Sequence, residues 1–521
     1  MARKSVMVHQ FSQVPRVNVP RSSFDRSHGL KTTFNRSVLV PIFWDEALPG
    51  DTMKLNATLF GRLATPIHPF LDNLFLETFY FAVPYRLIWD NFRKFMGEQD
   101  NPTDSVDYKI PTVTVNPTTS SLSDYFGLPL GGGAHTVSAL PYRAYDKVYH
   151  DWFRDQNLQD STEPPKGDGP DNPSGYGLRR RNKKHDYFTS ALPWPQKGPE
   201  VTVGAAGLAP IKAGPGIGVT DTPDVIVGDF DRATGGRFLN SSGASLAFNV
   251  QNDSRVPNIF ADMAEASATT INAWRQAFQI QRMQERDARS GTRYIEKIQA
   301  HFGVVSPDAR QQRSEYLGGG SERININPVA QTSETQSTGG TTPQGNLSGY
   351  GTVAGKGHGF TKSFTEHCII IGLVNIRADI TYQQGIRRGW LRETILDHYW
   401  PALSHLGEQA IQNREIYAAG DAADTETFGY QERWAEYRYF PSQITGRFRS
   451  AAGSDSLDKW HLSENFETRP GLNETFMRDN TPIDRVIAVQ NEPHMLLDVH
   501  FNYKCARPMP VYSVPGKIDH F

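Results

Sequence analysis

The sequence predicts an all-β protein: one β-sandwich of jelly-roll type whose connections have been greatly lengthened. Two observations lead there. Strand-like segments cluster near the two ends of the chain, with helical stretches and long irregular runs between them. The composition agrees, with 45 glycines, 34 prolines and 11% aromatic residues against only 21% charged ones among 521 residues, which favours a loop-rich β-protein over a helical bundle. A jelly roll tolerates such growth because its loops lie on the surface.

Taken in order, RSVLVPIFW (36–44) and DTMKLNATLFGRL (51–63) read as strands joined by a turn on Pro49-Gly50. NLFLETFYFAVPY (73–85) is dense in large apolar, β-favouring residues. YRLIWDNFRKFMG (85–97) reads as a short helix, and YRAYDKVYHDWFRDQNLQD (142–160) carries Tyr145, Val148, Tyr149, Trp152 and Phe153 at helical spacing. A third helix is predicted over TTINAWRQAFQIQRMQERDARSG, striped by Ile271, Trp274 and Phe278 and stopped at Gly291. TRYIEKIQAHFG repeats the pattern with Ile295, Ile298 and Phe302, and both stripes are expected to face a core. EHCIIIGLVNIRADITY (366–382), DRVIAVQ (484–490) and HMLLDVHFNYKC (494–505) are the closing strands. In the last, Leu497, Val499 and Phe501 alternate with Asp498, His500 and Asn502, the period-two pattern of a half-buried strand. Residues 160–256 and 331–359, rich in Gly, Pro, Ser and Thr, read as loops long enough to be functional.

Charge narrows the function. The formal net charge of −2 argues against a protein that coats nucleic acid uniformly. Its placement is uneven, because residues 1–36 hold Arg3, Lys4, Arg16, Arg21, Arg26, Lys31 and Arg36 against the single acid Asp25. A basic arm ahead of a near-neutral body suits contact with a polyanion or is a solvated tail. RRRNKK (179–184) is the strongest local cation run, read as a solvated loop or an anion contact, with the solvated loop favoured. In YQERWAEYRYFPSQITGRFR (430–449), Tyr430, Trp434, Tyr437 and Tyr439 interleave with arginines that include Arg447 and Arg449. Such a mixture serves a single-stranded nucleic-acid groove or a packed subunit interface.

A search for catalytic chemistry returns little. Around Gly355-Lys356 a phosphate-binding loop would need glycine where Tyr350 stands and Ser or Thr where Gly357 stands. GPGIG (214–218) lacks the third glycine of a dinucleotide site, and HExxH and GxSxG do not occur. His398 and His405 have no evident third metal ligand. The two cysteines, Cys368 and Cys505, make no metal spacing, and Cys368 in HCIIIGLV reads as a small buried apolar residue. No catalytic residue, cofactor or metal is expected. The start, MARKSVMVHQ, lacks the apolar run of a signal peptide, and no stretch approaches ~18 apolar residues, so no membrane span is expected.

Several segments together carry a family resemblance: VLVPIFWDEALPGDT, ATPIHPFLDNLFLETFYFAVPYRLIWDNFRKFMGE, KKHDYFTSALPWPQKG, AFQIQRMQERDARSGTRYIEKIQAHFGVVSPDARQQRSEYLGG, FTEHCIIIGLVNIRADITYQQG and FGYQERWAEYRYFPSQITGRFRS. They resemble the major capsid protein of the Microviridae, in its gokushovirus branch. The resemblance spans about residue 20 to about residue 500 and does not reach into 199–256 or 331–359. It implies an eight-stranded viral jelly roll, a homo-oligomer of sixty copies forming a T=1 icosahedral virion around circular single-stranded DNA, and no enzymatic activity. It also implies a scaffolding protein, a DNA pilot protein, a small basic DNA-binding protein, a receptor on a bacterial host, and synthesis in that host's cytoplasm. Within this frame 1–35 is the basic arm and 36–521 the jelly-roll domain. That domain is interrupted by 160–256 as protrusion, 261–303 as a helical insertion and 331–359 as a Ser/Thr/Gly-rich loop. The cations of the arm, with Arg447 and Arg449, become candidates to face DNA; Tyr430, Trp434, Tyr437 and Tyr439 become candidates for subunit packing. A carbohydrate-binding phage adhesin is the alternative, and a dedicated single-stranded-DNA-binding protein a third reading that the −2 charge disfavours.

Overall fold

A computed structural model describes residues 20–199, 201, 271–305, 312–332 and 345–512, together with the short strand segments Ile211–Ala213, Gly218–Thr220, Ile226–Asp229, Ile259–Ala261, Thr335–Ser337 and Gly340–Thr342. The principal strands are β1 (Ser22–Asp25), β2 (His28–Phe34), β3 (Val40–Ala47), β4 (Thr52–Leu63), β5 (Leu74–Pro84), β6 (Glu315–Ala330), β7 (Leu347–Ser363), β8 (Cys368–Ala378) and β9 (Met495–Arg507). Every pairing among them is antiparallel, in the order β1-β9-β4-β7-β6-β5-β8-β3, with β2 also on β9. β1 and β2 pair with opposite ends of β9 and act as one interrupted strand, so eight positions result.

β6 makes the turn between the two halves. Its first part, Glu315–Ile324, pairs with β5, and its second, Asn325–Ala330, pairs with β7. The sheet curls there, and the halves β3-β8-β5 and β7-β4-β9 enclose one core that includes Phe34, Ile42, Leu59, Leu76, Tyr80, Val374, Val499 and Phe501. β4 and β9 bury alternate residues and expose the rest. β8 is buried on both faces, and that explains its uninterrupted CIIIGLV run. Ile370, Val374 and Ile376 enter the main core, whereas Ile369, Ile371 and Leu373 enter a second cluster with Trp89, Tyr142, Tyr145 and Val148. The architecture is an all-β jelly roll with two large insertions, 85–314 and 379–494.

The first insertion carries α1 (Leu140–Val148), continued by one wider turn over Tyr149–Phe153. The stretch 85–97 is not one helix but two single turns, Tyr85–Leu87 and Phe92–Phe95. The chain separates into two compact units, Met1–Pro195 with Ser290–Phe521, and Gln196–Arg289. The smaller unit contains α2 (Ile271–Arg289), on which the side chains of Trp274 and Phe278 are exposed rather than buried as the stripe predicted. In the larger unit, α3 (Tyr294–Phe302) leaves Phe302 exposed as well.

Three further expectations are corrected. DRVIAVQ is not a strand: Ile483, Val486 and Ile487 sit on a short helical turn, and all three enter the main core. Residues 347–359 are not loop but most of β7, paired with β6 over Leu347–Thr352 and with β4 from Gly351 onward. Residues 22–34, counted with the arm, lie in the sheet as β1 and β2. Arg3, Lys4 and Arg16 lie outside the described residues, as do 202–210, 230–258 and half of 333–344. Both cysteines are buried and free, as expected for Cys368, whose thiol is pushed up to about 12 by burial and by neighbouring Glu366. Among the described residues no helix is long and apolar enough to cross a membrane.

Candidate assembly and nucleic-acid surfaces

The described arm cations are engaged with the sheet. Arg21 donates to Thr52 Oγ1 at 2.8 Å, and Arg26 forms an ion pair with Asp45 while its guanidinium lies 5.3 Å from the Tyr503 ring centre. Lys31 stands 3.5 Å from Asp498, with most of its side chain in solvent. Arg36 pairs with Asp484 at 3.0 Å, and Asp484 also contacts His494 Nε2 at 2.9 Å. Burial of the His494 imidazole pushes its pKa below the ordinary value, with Asp484 opposing the shift.

RRRNKK is not a solvated loop. Arg179 pairs with Asp146 at 2.9 Å, Arg181 with Glu77, Lys183 with Glu464 at 2.6 Å and Lys184 with Asp379 at 2.6 Å. Arg181 also stacks on Phe79 at 4.7 Å, Lys183 on Phe476 at 4.4 Å and Lys184 on Phe75 at 4.1 Å. Their carboxylate partners lie far away in sequence, so the run looked unpaired when read alone.

The aromatic segment divides by role. Tyr430 exchanges backbone hydrogen bonds of 2.8 Å with Leu192, extending the small ladder of Thr427–Glu432. Trp434 is buried in a left-handed conformation (φ 69°), and its indole N–H donates to Leu403 O at 3.0 Å. Tyr437 and Tyr439 are about half exposed, and Arg392 lies 4.4 Å from the Tyr437 ring centre. Arg447 is exposed and pairs with Asp455 at 3.4 Å, while Arg449 Nε donates to Ile444 O at 3.2 Å. The geometry thus puts Trp434 into the subunit interior, ties the half-buried Tyr430 to Leu192 through its backbone, and leaves Tyr437 and Tyr439 at the surface.

Sequence reasoning missed the neighbours of those tyrosines. Trp390 is 84% exposed, and Ile395, Leu396, Trp400, Leu406 and Phe440 are exposed with it. Large exposed apolar groups grouped in this way mark interaction surfaces. The available signal was GWLRETILDHYWPALSHLGE (389–408), whose bulky residues follow neither a helical nor a strand period.

His150, Asp151 and Glu163 bring one ligand atom each within 4.8 Å of one another. Lys147 Nζ already sits 3.2 Å from Asp151 and 2.9 Å from Glu163, so an ammonium fills the place a metal would need.

Comparison with known proteins completes these observations. The family described as capsid protein (F protein) matches residues 12–517. A protein named Capsid protein VP1 of Bdellovibrio phage phiMH2K is 46% identical, covering 98% of both chains. Capsid protein VP1 of Chlamydia phage 1 is 42% identical over 98% of each, and that of Spiroplasma virus 4 is 36% identical over 99% of each.

Proposed function

From the premise that the chain belongs to the phage capsid protein (F protein) family, we propose that its copies close into a T=1 icosahedral shell around circular single-stranded DNA. The protein is a structural capsid component of the virion, not an enzyme. The full-length match is the observation that carries this reading, and the jelly roll is the architecture such shells are built from.

A closed shell requires heterologous contacts repeated by symmetry. Tyr437 and Tyr439, with exposed Trp390 and Phe440, are the side chains we assign to a neighbouring copy, and buried Trp434 packs against Tyr437 from within. The protrusion is assigned to Gln196–Arg289 rather than 160–256, because 160–195 belongs to the jelly-roll unit. Arg3, Lys4, Arg16 and Arg21 are the cations assigned to DNA, and their small number leaves most genome charge to a separate basic packaging protein. A scaffolding protein and a DNA pilot protein complete the assembly, which takes place in the bacterial cytoplasm before a host surface receptor is met.

The test is co-expression with the scaffolding protein and electron microscopy. Wild-type chain should give uniform shells, and Trp390→Asp with Phe440→Asp should give folded subunits without shells. Wild-type chain that stays monomeric would overturn the reading. Changing the four arm cations to Ala should lower the fraction of DNA-filled particles, and unchanged filling would remove the arm from that role.

A further inference from the structure

The second insertion closes over a cavity of about 230 Å³, which lies against a third buried cluster that includes Tyr187, Phe188, Tyr382, Ile416 and Phe428. Backbone contacts fix its walls. Tyr382 N donates to Ser442 O and Ile444 N to Tyr382 O, both at 2.9 Å, so the two stretches run side by side. Gly385 comes so near Glu415 that a Cβ on it would stand 2.0 Å from Glu415 O. The lining joins rings to cations: Tyr187, Phe188 and Tyr382 are buried, while Tyr437 and Tyr439 are half exposed.

Four arginines but only two acids line the cavity. Glu415 is taken by Arg388 at 2.9 Å, and Glu436 stands 3.6 Å from Arg392. Arg387 and Arg449, both exposed, have no carboxylate at ion-pair distance among the described residues. Arg387 lies over the Phe440 ring at 3.7 Å, and among the described residues its N–H groups have no acceptor. Arg449 Nε donates to Ile444 O at 3.2 Å, and its terminal nitrogens are likewise unused. Guanidiniums with unused donors suit a carboxylate, which can accept two N–H groups at once. Aromatic walls suit a flat apolar body. The volume falls below the ~300–1,000 Å³ usual for drug-sized ligands, so one ring or two fused rings fit better than a base, sugar and phosphate together.

We propose that this cavity binds a small aromatic carboxylate, its carboxylate on Arg387 and Arg449 and its ring against Tyr439. The inference goes beyond the capsid reading and does not depend on it. Arg387 and Arg449 are exposed and hold no acid, so replacing them should leave the fold intact while the anion contact is lost.

Isothermal titration of the purified full-length chain with 2-naphthoate tests it. Binding should saturate at a single site per chain, and 2-naphthylmethanol, the same ring without the charge, should bind at least about tenfold more weakly. Arg387→Gln and Arg449→Gln should each weaken 2-naphthoate about fivefold or more, and Tyr439→Leu about threefold, with urea midpoints unchanged. No heat of binding overturns the proposal, as does wild-type affinity in both arginine variants. Equal affinity for the alcohol overturns the role of the two cations. Tighter binding of dTMP than of 2-naphthoate overturns the ligand class. Shells assembled in the presence of 2-naphthoate should retain it. Its exclusion from them would give the cavity to a carboxylate of a neighbouring copy and overturn assignment to a free molecule.

Discussion

Arg143 on α1 and Asp171 form a pair that is 0% and 3% exposed, and replacing the acid should be more damaging than removing both. Arg143 Nε donates to Asp171 Oδ2 at 2.8 Å, NH2 to Oδ1 at 2.6 Å and NH1 to Ile88 O at 3.0 Å. The Tyr176 hydroxyl donates to the same carboxylate. Asp171→Asn keeps the shape but withdraws the counter-charge and points an amide N–H at a guanidinium. Breaking such a pair from one side costs about 3–5 kcal/mol, because a buried cation is left uncompensated. Arg143→Met with Asp171→Leu removes both charges and leaves mainly Tyr176 O–H and Ile88 O without partners, at about 1–3 kcal/mol each; the apolar replacement offsets part of that. Urea unfolding of the unassembled chain, followed by tryptophan fluorescence, reads the difference through Trp89, which is fully buried in the same cluster. With a slope near ~3 kcal/mol per molar urea, the single variant's midpoint should drop by about 1 M or more. Burial raises the Asp171 pKa, but the hydrogen bonds from Arg143 and Tyr176 more than reverse this and hold it below the ordinary value. Its stabilisation is therefore complete above the unfolded value of 3.8 and is lost as pH falls through the folded one. An Asn variant within about 1 kcal/mol of wild type, or a double variant less stable than the single, would refute the reasoning.

Gly359→Ala on β7 should lower the thermal midpoint by the equivalent of at least about 1–3 kcal/mol, because its Cβ would stand 1.9 Å from Leu55 O, a backbone atom that can move only by opening the β7–β4 ladder. A wild-type melting curve for that variant would contradict the close approach of the two strands. The imidazoles of His150, His461 and His494 are all held below the ordinary 6.5 by burial, so the unfolded chain takes up protons first on acidification. The melting midpoint should therefore fall between about pH 7 and pH 5, and a flat or rising midpoint there would count against the burial of these rings.

The strands legible in the sequence were those whose burial follows from side-chain chemistry alone. β4 and β9 alternate, β5 and β8 carry long apolar runs, and each lies where the pattern put it. β6 and β7 were invisible for the opposite reason. Their glycines make room for other groups: a Cβ on Gly318 would meet Gly359 O at 2.3 Å, on Gly319 Thr78 O at 2.0 Å, and on Gly320 the His358 ring at 2.7 Å. Glycine within a strand ordinarily argues against the strand, so only the close approach of neighbouring backbone explains these. Ile483, Val486 and Ile487 failed differently, since three buried apolar side chains on one turn mimic the composition of a strand. RRRNKK shows the same limit for charge, because local sequence reports the cations but not Glu77, Asp379 or Glu464, which pair with them from distant elements.

The aromatic stretch 430–449 raises a question that local chemistry cannot answer, because a core, a subunit contact and a base-stacking groove all draw on Tyr, Trp and Arg. What separates them is which faces of each ring are already covered. Trp434 has its indole N–H satisfied and its surface buried, so it belongs to the subunit interior. Tyr437 and Phe440 each carry a guanidinium on the ring, from Arg392 and Arg387, and Tyr437 also packs against Tyr399 and Trp434, yet both remain exposed, as do Trp390 and Trp400. A lone chain gains nothing from leaving such groups in water, whereas a copy repeated by symmetry can cover them at every interface at once. That asymmetry places Trp434 with folding, and on it rests our proposal that Trp390, Tyr437 and Phe440 serve assembly.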